Sequence, residues 1–261
     1  MEHDEKIPLG GMALDNGVFV QSPSAWGCAV RLPNGELRVT SGRKAFRAGR
    51  ISPRFLRNPA RVAEAFVLLS TLRRQVPDAK LPFRRPAVLA ALAGSVLTVH
   101  SLRRSDRLSA RTRDLATVAT ALLPAGIALG KRELAEYHGA EHTTIGTYEH
   151  GEPRSRVHER CGSNLVLPML AGSLIANAVA MRLPRWLRPA ARVSGQIAAI
   201  AGATELLDWA VRNPERPLAR AFERPGQELQ RRLSTAEPSE AQLEVARAAL
   251  EACLEVERKI E

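Results

Sequence analysis

Aromatic side chains make up only 4% of the 261 residues, and there are three cysteines. So few rings, with no interleaving of basic and aromatic positions, argue against a surface for single-stranded nucleic acid. Cys28, Cys161 and Cys253 are odd in number and far apart. They form no disulfide framework and suit a reducing interior. The opening residues, Met1-Glu2-His3-Asp4-Glu5-Lys6, lack both the basic stretch and the apolar run of a secretory signal, so secretion is not expected. Acidic residues are also in deficit, 27 against 38 Lys and Arg, for a net charge of +11. That balance favours an anionic partner. The excess is mostly Arg beside apolar stretches, which points to membrane lipids and gives no expectation of a specific nucleic acid.

The length suits one large domain, or a core with small appendages. Residues 1–42 read as a small N-terminal β region. Ala13–Val20 and Ala25–Leu32 are apolar-rich runs, and the second ends at Pro33-Asn34-Gly35 before the alternating Glu36–Thr40. Asn-Gly predicts a hairpin turn there. Residues 43–85 read as a basic helical linker, with a helical patch at Arg61–Arg74 broken up by Pro77, Pro82 and Pro86.

Residues 86–211 read as an apolar helical core. Ala87–Val99, Leu115–Gly130 and Cys161–Met181 carry no charge, and Val193–Leu207 carries only Glu205. A spanning helix needs about 20 residues, which only the third segment supplies outright. Pro124 and Pro168, with Gly94, Gly126, Gly172 and Gly202, fit close helix packing in lipid. Arginines flank the segments on both sides, Arg103, Arg104, Arg107, Arg111 and Arg113 against Arg73, Arg74, Arg84 and Arg85, so charge alone sets no orientation. The expectation is a mainly α protein: a membrane-integrated bundle of about four apolar helices. Residues 212–261 read as a polar region closed by an amphipathic helix. Ser239 and Gln242 form its capping box, and Leu243, Ala246, Leu250, Cys253 and Leu254 form its apolar stripe.

Four of the six histidines fall between positions 138 and 158. On a Tyr137–Tyr148 helix, His138 and His142 lie one turn apart on one face and can grip one ion, with zinc or a similar metal suited to imidazole. Glu141 is placed as general base toward a metal-activated water, the H-x-x-E-H arrangement of inverzincins. The bland alternative is a helix whose histidines face solvent or bond one another. Catalytic zinc usually takes three protein ligands, and the candidates are Glu149, His158, Cys161 and Glu205. Cys161 also reads as a plain buried thiol opening the third apolar helix. An ionisable residue in an apolar helix, as Glu205 is, marks a functional site by default. Gly139 weakens the helix by about 1 kcal/mol relative to Ala, so some local demand is expected there.

Tyr137-His138-Gly139-Ala140-Glu141-His142, then Tyr148-Glu149, then His158-Glu159-Arg160-Cys161-Gly162 resemble the YqhQ-like family, bacterial proteins of unknown function regarded as predicted metal-dependent enzymes. Gly10-Gly11-Met12-Ala13 echoes that family's opening. Pro225-Gly226, Leu229-Gln230, Leu233-Ser234-Thr235 and Glu237-Pro238 echo its close. The resemblance implies a multi-pass membrane protein and motif positions at His138, Glu141, His142, Glu149, His158, Arg160 and Cys161. Thr143, Glu159, Ser163-Asn164, Asn16 and Gln21 depart from the family pattern. The first expectation for function is a membrane-associated metal-dependent hydrolase, its metal motif on the cytoplasmic side of the cell membrane. There Arg156 or Arg160 would hold an anionic substrate group. The alternative is a non-catalytic, metal-stabilised membrane scaffold or assembly protein in which His158 and Cys161 close a four-ligand site. A soluble nucleic-acid binder comes third.

Overall fold

The computed structural model describes residues 6–45, 49, 54–105 and 108–260; His3 and Arg107 lie outside them. Strands β1 (Gly10–Leu14), β2 (Gly17–Gln21), β3 (Ala25–Arg31) and β4 (Leu37–Arg43) form an antiparallel meander in chain order. The Asn-Gly turn is present: Gly35 sits at a φ of 85°, which a side chain would oppose, and its N–H donates to the Leu32 carbonyl at 2.9 Å. The run 13–20 is two strands rather than one, because Asp15 and Asn16 turn the chain between them. Asn16 donates to the carbonyls of Arg31 (3.2 Å) and Asp78 (3.0 Å) and accepts from the Lys80 N–H (2.9 Å). Asp15 is ion-paired with Arg85. Together they tie the segment leading into the apolar helices to the sheet.

Alternation along the strands gives the sheet two apolar faces. Val18, Val20, Ala25 and Ala29 pack against helices α4 (Arg132–His150) and α8 (Glu240–Arg258). Phe19, Trp26, Cys28 and Val30 pack against Leu68, Leu72 and Val76 on and just beyond α1 (Arg54–Gln75). The small N-terminal β region is therefore the middle layer of a helix–sheet–helix stack. The α8 stripe is as expected, with Ala246, Leu250 and Cys253 buried and Leu243 and Leu254 packed at its margin. Its capping box is formed, Gln242 Oε1 accepting from the Ser239 N–H at 2.8 Å.

Two helical pairs lie beside this stack: α2 (Pro86–Arg104) with α3 (Ala110–Leu129), and α5 (Ser163–Arg182) with α6 (Arg188–Arg212). The second pair meets through small residues. A Cβ on Gly172 would come within 2.9 Å of Ala199 Cβ, and one on Gly195 within 2.6 Å of Ala176 Cβ. Gly94, Gly126 and Gly202 face open space instead. Among the described residues only α5 is long and apolar enough to cross a membrane; the apolar parts of α2 and α3, Pro86–Leu102 and Leu115–Leu129, are shorter. The outer faces of both pairs expose large aliphatic side chains, including Val96, Leu97, Leu115, Leu123, Ile175 and Val193.

The polar stretch after α6 holds a further helix, α7 (Pro217–Leu229), which runs into a π-helical turn at Gln230–Ser234. Leu218, Ala219, Phe222 and Leu229 recur along it at helical spacing, but Pro217 at its start and Pro225 inside it read as breaks in the sequence.

Candidate metal centre

Helix α4 packs beside α8 on one face of the sheet, over β1, and its middle is largely buried from Tyr137 to Gly146. A left-handed Gly151 caps its C-terminus, with its N–H bonded to the Thr147 carbonyl. Gly139 answers the demand expected of it. The Ala236 carbonyl stands where a Cβ would be, and the chain there is held to α4 by an Ala236 N–H bond to the Ala135 carbonyl (2.8 Å).

His138 and His142 present their rings edge to face with centroids 4.3 Å apart. The loop after α4 brings Cys161 to them, Sγ lying 3.7 Å from His138 Nε2, and donor atoms of all three fall within 4.8 Å of one another. Two donors 2.0–2.3 Å from a tetrahedral zinc stand about 3.6 Å apart, so the Cys161–His138 spacing fits such an ion. The rings are also aimed. His138 Nδ1 meets the Ser234 carbonyl at 2.7 Å and His142 Nδ1 meets the Arg156 carbonyl at 2.8 Å. A carbonyl only accepts, so each Nδ1 carries the proton and each Nε2 keeps its lone pair. This is the outer support that metal-binding imidazoles ordinarily have. Burial also holds His142 below the usual imidazole range, favouring the neutral ring a ligand requires.

Glu141 is buried at 5% exposure, and its burial pushes the carboxyl above the usual carboxylate range, against the nearby His138 and His158 rings. It lines, with the two histidines and Cys161, a cavity of about 500 Å³. Gly11 of β1 lines the same cavity, and a Cβ there would collide with the Glu141 side chain.

The other expected ligands lie elsewhere. His158 Nδ1 accepts from the Arg160 N–H (3.3 Å), so its Nε2 proton points to Glu149, 3.0 Å away. The two are coupled to each other beside the trio, with the His158 ring centroid 5.5 Å from that of His142. Burial raises the Glu149 carboxyl, but the His158 bond and the nearby Arg160 and His150 leave it below its usual range overall. Glu205 is exposed on α6 and is not among the residues lining the cavity. Arg156 is already committed, to the carbonyls of Arg231 and Thr235, the Thr235 hydroxyl and Glu237. Arg160 lines the cavity and its side chain makes no hydrogen bond or ion pair among the described residues.

Two supports were not singled out from sequence. The π turn after α7 presents the Ser234 carbonyl to His138. Gln230, fully buried, accepts from the His158 N–H (2.8 Å) and donates to the His158 carbonyl (3.0 Å) and Ser163 Oγ (2.8 Å). Both stand in the Leu229–Thr235 block that carries part of the family resemblance, and that block was the signal available.

Residues 130–256 match a family described as "Protein of unknown function (DUF1385)". Over 123 residues the chain is 32% identical to a Bacillus subtilis (strain 168) protein described as "Uncharacterized protein YqhQ", covering 44% of this chain. The matched stretch spans 38% of that relative's length. No solved structure matches the chain. The matched region holds the trio and Glu141, whereas the sheet that supplies Gly11 lies outside it.

Proposed function

The chain belongs to the YqhQ-like family through residues 130–256, and on that premise we propose that it is a membrane-integrated, metal-dependent hydrolase. One observation carries the reading: two imidazoles, each fixed by a backbone carbonyl, and one thiol converge beside a buried carboxyl inside a cavity with room for a substrate. His138, His142 and Cys161 would hold a divalent ion, and this nitrogen–sulfur donor set suits zinc. Such an ion supplies Lewis acidity toward a water and a carbonyl. Glu141, its carboxyl raised above the usual carboxylate range by burial, takes the proton from the attacking water and returns it to the leaving group. Arg160 binds an anionic substrate group. Glu149 and His158 hold each other and the loop that delivers Cys161.

Membrane integration rests on the bare aliphatic faces of the two helical pairs, since soluble proteins rarely expose so much contiguous apolar surface. At 1.5 Å per residue the apolar parts of α2 and α3 reach roughly 25 and 22 Å, near the thickness of a hydrocarbon core when extended by flanking residues. With the N-terminus on the cytoplasmic side, two such hairpins keep the metal-bearing α4 in the cytoplasm, where Cys161 remains reduced. The basic surplus then meets anionic lipid headgroups. The scaffold alternative would need His158 as a fourth ligand, and His158 Nε2 is engaged with Glu149 instead. The test is to purify the full chain from membranes, measure bound metal, and compare it with Glu141→Gln on a panel of esters and amides. The expected result is about one ion per chain in both, with turnover at least 100-fold lower in the variant. Equal turnover would remove Glu141 from the mechanism.

A further inference from the structure

A water and a small polar substrate need little space, yet the cavity beside the trio holds about 500 Å³ and most of its wall is hydrocarbon. Leu9, Met12, Leu129, Leu134, Ile145 and Val166 form much of that wall. Leu129 ends α3 and Val166 lies in the first turn of α5, so the wall is shared with the ends of the two helices whose flanks are bare aliphatic surface. Arg160 adds to the same cavity a cationic side chain that makes no hydrogen bond or ion pair among the described residues, its charge acting at longer range on Glu149.

One cavity thus combines three chemistries: a polar end with the trio and Glu141, an apolar wall, and the cationic Arg160. From this we infer that the substrate is a single-chain amphiphile. Its aliphatic tail lies along the apolar wall, its hydrolysable acyl carbonyl lies beside the trio, and an acidic group lies on Arg160. The inference rests on the metal-dependent reading above and adds the substrate class to it. The placement of the cavity at the ends of α3 and α5 gives such a molecule a short path from a membrane leaflet.

The full chain, purified in a steroidal detergent whose rigid body does not mimic an alkyl chain, is loaded with cobalt(II) and titrated with straight-chain hydroxamates from aceto- to octanohydroxamate. The visible cobalt spectrum reports arrival at the trio. Each added methylene is expected to tighten binding about three-fold, for a several-hundred-fold preference for the octano probe. Val166→Trp and Leu129→Trp, which narrow the apolar wall from two different helices, should each reduce that preference at least ten-fold. N-octanoylglycine should displace octanohydroxamate, and Arg160→Gln should raise the concentration required about ten-fold. A perturbed spectrum with equal affinity for every chain length would overturn the amphiphile while leaving the metal centre standing. Failure to bind cobalt with a thiolate-bearing spectrum would instead bring down the metal reading, and this inference with it. An unchanged requirement in Arg160→Gln would remove the acidic group from the proposed substrate.

Discussion

The carboxylate of Glu141 occupies the space in which a Cβ on Gly11 would stand. Two elements more than a hundred residues apart in sequence are therefore fitted to each other at the point where the chemistry is proposed. Gly11→Ala forces the flexible end of Glu141 aside and leaves α4 in place, so the fold should lose only about 1–2 kcal/mol. His138, His142 and Cys161 are untouched by the change and should retain their ion. Turnover should fall by roughly 100-fold, as expected when a general base is displaced. Metal content, thermal unfolding and hydrolysis measured together check this, and full activity in Gly11→Ala would show that the close fit has no bearing on catalysis.

The three cysteines should behave unequally. Burial pushes the Cys28 thiol up to about 12, and burial also raises Cys253, so both remain protonated and inert in the folded chain. Cys161 is half-buried and opens onto the cavity beside two imidazoles. Iodoacetamide should therefore alkylate Cys161 first, and added zinc should slow that reaction at least ten-fold. Peptide mass spectrometry after timed quenching separates the three sites. Equal labelling of Cys28, or no protection by zinc, would contradict the assignment.

What the sequence made legible follows from how each signal is encoded. His138, Glu141 and His142 sit within one helical turn, so 3.6-residue spacing alone brings them to one place, and the structure keeps them there. Cys161 required a loop to return to α4, and the sequence left it level with His158, Glu149 and Glu205. Hydrogen bonding sets His158 apart from the trio: the Arg160 N–H and Glu149 engage both of its ring nitrogens, an arrangement that spacing does not record. The Asn-Gly turn and the Ser239–Gln242 cap were read correctly because each is a local contact between neighbours in the chain. The Asp15–Asn16 turn was missed because Asp and Asn sit inside an otherwise apolar run, and their partners Arg85 and Lys80 are 70 and 64 residues away. Which helices cover the two faces of the sheet was not legible, because nothing local in a strand states which helix packs on it.

Glu136 joins α4 to the cap of α8. Its carboxylate accepts from Gln242 Nε2 and from Arg132 Nε, each at 2.9 Å, and these bonds, Gln242 first, hold its carboxyl below the usual range. A depressed carboxyl contributes stability at pH values above the ordinary glutamate pKa and loses it as pH falls through the folded value. The wild type should therefore be more stable than Glu136→Ala near neutrality, with the difference shrinking progressively below about pH 4.5. Melting temperatures of the two proteins from pH 7 to pH 3 provide the comparison. A difference that stays constant across that range would mean the charge of Glu136 plays no part in holding α8.

The bare flank of α5 distinguishes a lipid-facing helix from one covered by protein. Ile175 stands near the middle of α5 at 65% exposure, whereas Ala180 on the same helix is fully buried. If the flank lies in hydrocarbon, an arginine at position 175 costs about 2.5–3.5 kcal/mol on insertion, while leucine costs nothing appreciable. Ile175→Arg should therefore lower the share of protein that resists alkaline carbonate extraction from membranes, and Ile175→Leu should leave it unchanged. In water the same arginine would be welcome, because it replaces an exposed aliphatic group with a solvated charge. An Ile175→Arg protein recovered in higher soluble yield, with its metal bound and no loss of fold, would place α5 in water and remove the membrane from the proposed function.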